Sequence, residues 1–84
     1  MENYSIKTNC LRLYRKKNGL SQKRVAYLMG FKTASSLSHY ERGAKIPNLK
    51  NALALEIVLN TPAAFLFREL SERLKKEIQG RIDK

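Results

Sequence analysis

The chain has 84 residues, a size at which one apolar core just suffices, so a single domain is expected. Its 17 Lys and Arg against 7 Asp and Glu leave a formal charge of +10, which points to a polyanionic partner, nucleic acid above all, over a merely solvated basic surface. One cysteine, Cys10, and one histidine, His39, exclude an internal disulfide and a zinc site, which takes about four such ligands.

The apolar spacing predicts five helices and no strand. The first covers about 7–17, with Cys10, Leu11 and Tyr14 on one face, and Asn18-Gly19 stops it. Ser21 offers its hydroxyl to free backbone N–H groups and is the expected cap of a second helix over 22–29. Val25, Ala26, Leu28 and Met29 form the apolar stripe of that helix. Gly30 ends it, at a bend that a side chain would obstruct. Phe31 falls in the turn, and Thr33 is the expected cap of a third helix running to about 41. Leu37 and Tyr40 face the core from it. At about 100° per residue, Ser35, Ser38, His39 and Arg42 then point outward.

Gly43 closes the third helix, and Asn48 is the expected cap of a fourth. Leu49, Ala52, Leu53, Ile57 and Val58 make that helix strongly apolar. Asn60-Thr61-Pro62 marks the next break, with Thr61 as cap and Pro62 at the first helical position. The last helix is predicted over 62–80. Phe65 and Phe67 stand near its start, and Leu66, Leu70, Leu74 and Ile78 recur every four residues. Residues 81–84 are expected to fray. Nothing divides the chain, so one unit over 1–84 is expected, with its core at about 7–67. No apolar run approaches the roughly 18 residues of a membrane helix, and no signal peptide is legible, so a cytoplasmic protein is expected.

Two short helices joined by a glycine-bearing turn form a helix-turn-helix pattern. In such a pair the first helix braces the second, which is left exposed enough to enter the DNA major groove. The outer face of Ser35, Ser38, His39 and Arg42 carries no apolar residue and suits base edges and phosphates. The stretch SQKRVAYLMG, then LSHYERGAKIP, then a leucine-rich helix, resembles the lambda-repressor/Cro-like (Xre) family of helix-turn-helix proteins over about 11–67. The resemblance implies an all-α, compact five-helix domain that binds double-stranded DNA. It implies that Gln22 bonds a phosphate from the start of the bracing helix, and that Ala34, Ser35 and His39 read bases. It also implies a partly buried ion pair between Arg15 and Glu41. The turn Phe31-Lys32-Thr33 is one residue longer than in the best-known phage repressors, which leaves the register of Ala34 and Ser35 open by one position.

Thr33 and Ser36 join the expected DNA-facing set by their place at the head of the third helix. Lys32, Arg42, Lys45 and Lys50 flank that helix and the following loop, and are expected on phosphates. Asn48 serves either a phosphate or only its own helix. Outside DNA contact, His39 would be a solvated surface residue. Tyr14, Tyr27 and Tyr40 are expected to pack helices and not to stack on bases. The stripe Leu70, Leu74 and Ile78 is either a homodimer interface or packing on the first helix. The mixed charges beside it argue against a membrane-surface helix.

The expected function is a sequence-specific double-stranded-DNA-binding regulator. Since no ligand-sensing domain is legible after the DNA-binding part, repression by operator occupancy is the simplest mechanism. A two-fold dimer would read an inverted repeat. The competing reading is an antitoxin-type module that grips a protein partner, such as a toxin, through the last helix, with DNA binding secondary. No cofactor is expected. Neither is an enzyme, because no metal cluster, nucleophile–base pair or phosphate-cradling glycine loop is legible.

Overall fold

A computed structural model of the chain describes residues 9–84. Among them there are helices only: α1 Leu11–Lys17, α2 Gln22–Met29, α3 Ser35–Glu41, α4 Leu49–Leu59, α5 Ala63–Leu66 and α6 Arg68–Ile82. The start of the predicted first helix, 7–8, lies outside the described residues. Cys10 holds the cap position of α1 without a side-chain bond. One residue ahead, Asn9 Oδ1 accepts from the Leu11 N–H at 3.0 Å, while Asn9 Nδ2 donates to the Tyr40 carbonyl at 2.9 Å.

The helix-turn-helix follows the expected local chemistry. Ser21 Oγ accepts from the Arg24 N–H at 2.9 Å. Gly30 ends α2 with φ 82°, a left-handed conformation that costs other residues far more. A Cβ at Gly30 would meet nothing within 4 Å, so the turn needs glycine for its backbone angle and not for space. α3 begins one residue later than its expected cap, Thr33, implies. Ala34 holds its cap position, and Thr33 Oγ1 accepts from the Ser35 N–H at 3.3 Å instead of capping in the usual place.

The core gathers Leu11, Val25, Leu37, Tyr40, Leu55, Leu59, Leu66 and Phe67, with Tyr14, Leu20, Met29, Phe31, Val58 and Leu70 packed against it. Two expectations change here, and a face left open by sequence is assigned. Leu28 is exposed and drops out of the α2 stripe. On the strongly apolar α4 the buried residues are Leu55 and Leu59. Leu49, Leu53 and Ile57 are 73%, 49% and 78% exposed. These three lie at i, i+4 and i+8 on one face. The helix is apolar on most sides, so spacing alone does not say which side the core takes. Tyr27 is likewise no packing residue, since 70% of it is exposed.

The predicted last helix is two helices. Phe67, at φ −120° and ψ 51°, leaves helical geometry between α5 and α6. The break lets adjacent side chains, Leu66 and Phe67, both enter the core, which a continuous helix would turn about 100° apart. Thr61 does not cap α5. It is buried, and its hydroxyl donates to the Leu59 carbonyl at 2.9 Å. Glu56 Oε1 accepts from the Ala63 N–H at 3.0 Å in its place. Pro62 stands just ahead of the helix, at the cap position. The Cys10 N–H donates to the Leu66 carbonyl at 2.8 Å and ties α5 to the start of α1. α6 contributes Leu70 to the core and then runs outward through Leu74, Ile78 and Ile82, all exposed.

One polar cluster fixes α3 on α1 and α2. Arg15 Nε and Nη2 donate to Glu41 Oε2 and Oε1 at 2.5 and 3.1 Å, with the two side chains 10% and 5% exposed. Arg15 Nη1 donates to the Leu20 carbonyl at 3.0 Å. Gln22 Nε2 donates to Glu41 Oε1 at 2.9 Å. The ion pair implied by the resemblance is present, and it reaches a third helix.

Two predictions follow from this packing. Leu55→Ala should destabilise the domain by about 2–5 kcal/mol in urea denaturation, whereas Ile57→Ala should shift it by no more than about 0.5 kcal/mol. Arg15→Met strands Glu41 without its partner and should cost about 3–5 kcal/mol. Adding Glu41→Leu to that variant should recover much of the loss in the same assay.

Candidate nucleic-acid interface

Charge divides the chain sharply. Residues 10–55 hold ten Lys and Arg and one acid, Glu41, whereas residues 56–84 hold six Lys and Arg and five acids. Glu41 is nearly out of water and bound to Arg15 and Gln22. The surface of the helix-turn-helix half is therefore cationic without a competing carboxylate. Such a surface draws a polyanion and repels other cations.

α3 is anchored from behind. Leu37 and Tyr40 are buried, and the Tyr40 hydroxyl accepts from Asn51 Nδ2 at 2.9 Å, joining α3 to α4. The opposite face is polar. Ser35 and Arg42 are exposed; Ala34, Ser38 and His39 are half-buried. With Gln22 these five line one open depression of about 450 Å³. Its wall holds hydroxyls that donate or accept, an imidazole and a guanidinium. That inventory fits base edges and phosphate oxygens.

Other expected contacts are distributed differently. Ser36 lies about 100° around the helix from Ser35 and outside the depression. Lys32 and Thr33 line a neighbouring cleft with Gln22 and Ala34. Lys45 and Lys50 are exposed in the loop after α3 and the first turn of α4. Asn48 Oδ1 accepts from the Asn51 N–H at 2.9 Å, so Asn48 does cap its helix. Gln22, expected on a phosphate, uses its amide on Glu41, and a phosphate contact would need that amide to turn or share.

Leu70, Leu74 and Ile78 line one apolar groove of about 360 Å³ with Ile46, Pro47 and Phe67. Leu70 also packs against the core that includes Leu11 of α1, whereas Leu74 and Ile78 are exposed. Sequence reasoning missed Asn9, Asn51 and the exposed Tyr27. Asn9 carried a legible signal, a cap-type side chain just ahead of a helix. The Asn51–Tyr40 bond joins two helices and had none.

Among the described residues, no helix is long and apolar enough to cross a membrane. No curated protein sequence matches the chain at a significant level. Among solved structures, the restriction-modification controller protein C.AhdI from Aeromonas hydrophila is similar, with 35% sequence identity and a TM-score of 0.61 over 77% of this chain and 92% of that one. The family model described as helix-turn-helix matches residues 11–66, from the first residue of α1 to the last of α5. A buried α1–α3 ion pair, a bracing helix closed by Gly30 and a polar-faced second helix fall within that span, and the chain belongs to the lambda-repressor-like (Xre) family of helix-turn-helix DNA-binding transcription regulators.

Proposed function

We propose that this regulator is a sequence-specific repressor that binds an operator in double-stranded DNA as a homodimer and blocks transcription by occupancy. One observation carries the reading: α3 is anchored from behind and turns a face that is polar apart from Ala34 outward, on the cationic half of the chain. A side chain that reads a base must be placed to within a fraction of an ångström, and α3 is held by Leu37 and Tyr40 in the core and by polar ties at its C-terminal end.

α3 would lie in the major groove, which is wide enough for one helix. Ser35 and His39 would meet base edges, the Ala34 methyl would pack on a thymine methyl, and Ser38 would bond a base or a bridging water. Arg42, Lys32, Thr33, Lys45, Asn48 and Lys50 would meet phosphates along the flanks, with Gln22 at the start of α2. The readers are short, so DNA shape would carry part of the specificity. C.AhdI is described as a restriction-modification controller protein, and the likeness supports a controlling role here.

One short reading helix covers few base pairs, and a two-fold dimer doubles the site. The groove along Leu70, Leu74 and Ile78 and the exposed face of Leu49, Leu53 and Ile57 supply apolar surface for a second copy.

Selection of duplexes from a random library at about 0.15 M salt should enrich an inverted repeat, with half-sites about one helical turn apart. Ser35→Ala with His39→Ala should lower the affinity ratio of that duplex to random DNA by about tenfold or more. An unchanged ratio would place the reading face elsewhere. Leu74→Glu should convert a dimer to a folded monomer in sedimentation. A dimer that persists would remove α6 from the interface.

A further inference from the structure

α6 leaves the body of the domain after Leu70 and carries its apolar side chains out with it. The groove that Leu70, Leu74 and Ile78 form with Phe67 and the loop before α4 has a nearly continuous apolar wall. Among its lining side chains only Ser71 and Lys75 are polar, and they stand one turn apart on α6. At Ile78 the groove runs into a second depression, of about 470 Å³, lined by Lys75, Lys76, Ile78 and Gln79. The two share Lys75 and Ile78, so they are continuous. No carboxylate lines either one.

Polarity is therefore confined to one end. That end offers two ammonium groups and an amide, and the rest of the wall offers hydrocarbon. Lys75 Nζ stands 3.5 Å from Glu72 Oε2, with the two side chains 69% and 60% exposed. So open a pair contributes little and leaves the ammonium able to meet another anion. Lys76 adds a second cation beside it. A carboxylate at this end would receive charge-assisted hydrogen bonds. Leu70 and Ile78 lie about 12 Å apart along α6, the length of an extended chain of about ten carbons. A bilayer surface is a poorer match, because Glu69, Glu72 and Glu77 on the same helix repel anionic headgroups.

We infer that the groove binds one long-chain carboxylate, its hydrocarbon on Leu70, Leu74 and Phe67 and its head on Lys75 and Lys76, and that the bound chain excludes a second copy. The exclusion rests on the homodimer proposed above, which uses the same groove. Burial of methylenes drives binding, and the lysines fix the direction of the chain. Occupancy turns the dimer into a monomer and weakens its hold on the operator, so the groove is where a small-molecule signal reaches the regulator.

The test titrates decanoate, below its micellar concentration, into the full chain by calorimetry. One molecule per chain should bind, with hexanoate at least about tenfold weaker. Lys75→Gln with Lys76→Gln should weaken decanoate about tenfold and leave decanol unchanged. Both lysines are exposed, so the double variant keeps the fold. Absence of binding, equal binding of decanoate and decyltrimethylammonium, or no loss in the double variant would overturn the site. Binding of the chain to vesicles of anionic phospholipid without uptake of free decanoate would overturn it too, by making this face a bilayer contact. In sedimentation, decanoate should convert dimer to monomer, and it should lower affinity for the selected duplex by about tenfold. A dimer that persists with decanoate bound would overturn the exclusion and leave the site standing. A chain that is monomeric before any ligand is added would overturn the homodimer and the exclusion together, and the calorimetry alone then decides the site.

Discussion

A carboxylate taken out of water costs several kcal/mol unless its oxygens find donors, and Glu41 finds three. Two come from Arg15 on α1 and one from Gln22 on α2. Glu41 is the last residue of α3, so this one side chain ties the end of that helix to both helices before it. Asn9 adds a bond to the Tyr40 carbonyl, and Asn51 adds one to the Tyr40 hydroxyl. α3 spans only seven residues, too few to be stable alone. Its position is set from outside, by Leu37 and Tyr40 in the core and by these polar ties at one end.

The same pair shapes the electrostatics. With Glu41 buried and matched, residues 10–55 show the solvent no carboxylate. The structure thus separates two uses of charge. One acid and one base are spent on geometry inside, and the remaining cations face outward. Three of the seven acids, Glu69, Glu72 and Glu77, fall on α6, interspersed with Lys and Arg. A cationic half and a nearly charge-balanced half result, and long-range attraction of a polyanion acts on the first.

Apolar surface remains uncovered on the balanced half. α4 is apolar on most sides, and the core can take only one of them. Leu55 and Leu59 go in, while Leu49, Leu53 and Ile57 stay out. α6 turns Leu74 and Ile78 toward a groove that α5 and the loop before α4 complete. The kink at Phe67 creates that groove, because it sends α6 away from the core instead of along it.

Much of this was legible in the residues. Ser21, Gly30 and Asn48 mark helix ends through short-range chemistry, and each acts where sequence reasoning put it. The spacing of Leu37 and Tyr40 assigned the inner face of α3, and thereby the outer one. The order of motifs carried the family, and with it the ion pair. What the sequence could not decide were matters of long-range choice. Spacing cannot orient a helix that is apolar on most sides, so the exposed face of α4 was not legible. A four-residue repeat running through Leu66 and Leu70 looks the same whether or not the backbone breaks between them, and only core packing of Phe67 breaks it. Exposure of Tyr27, and the cleft it borders, depends on how the α2–α3 turn folds back. Local chemistry along the chain determined where helices begin and end; which faces meet, and which are left open to a partner, was decided only when all six helices competed for one small core.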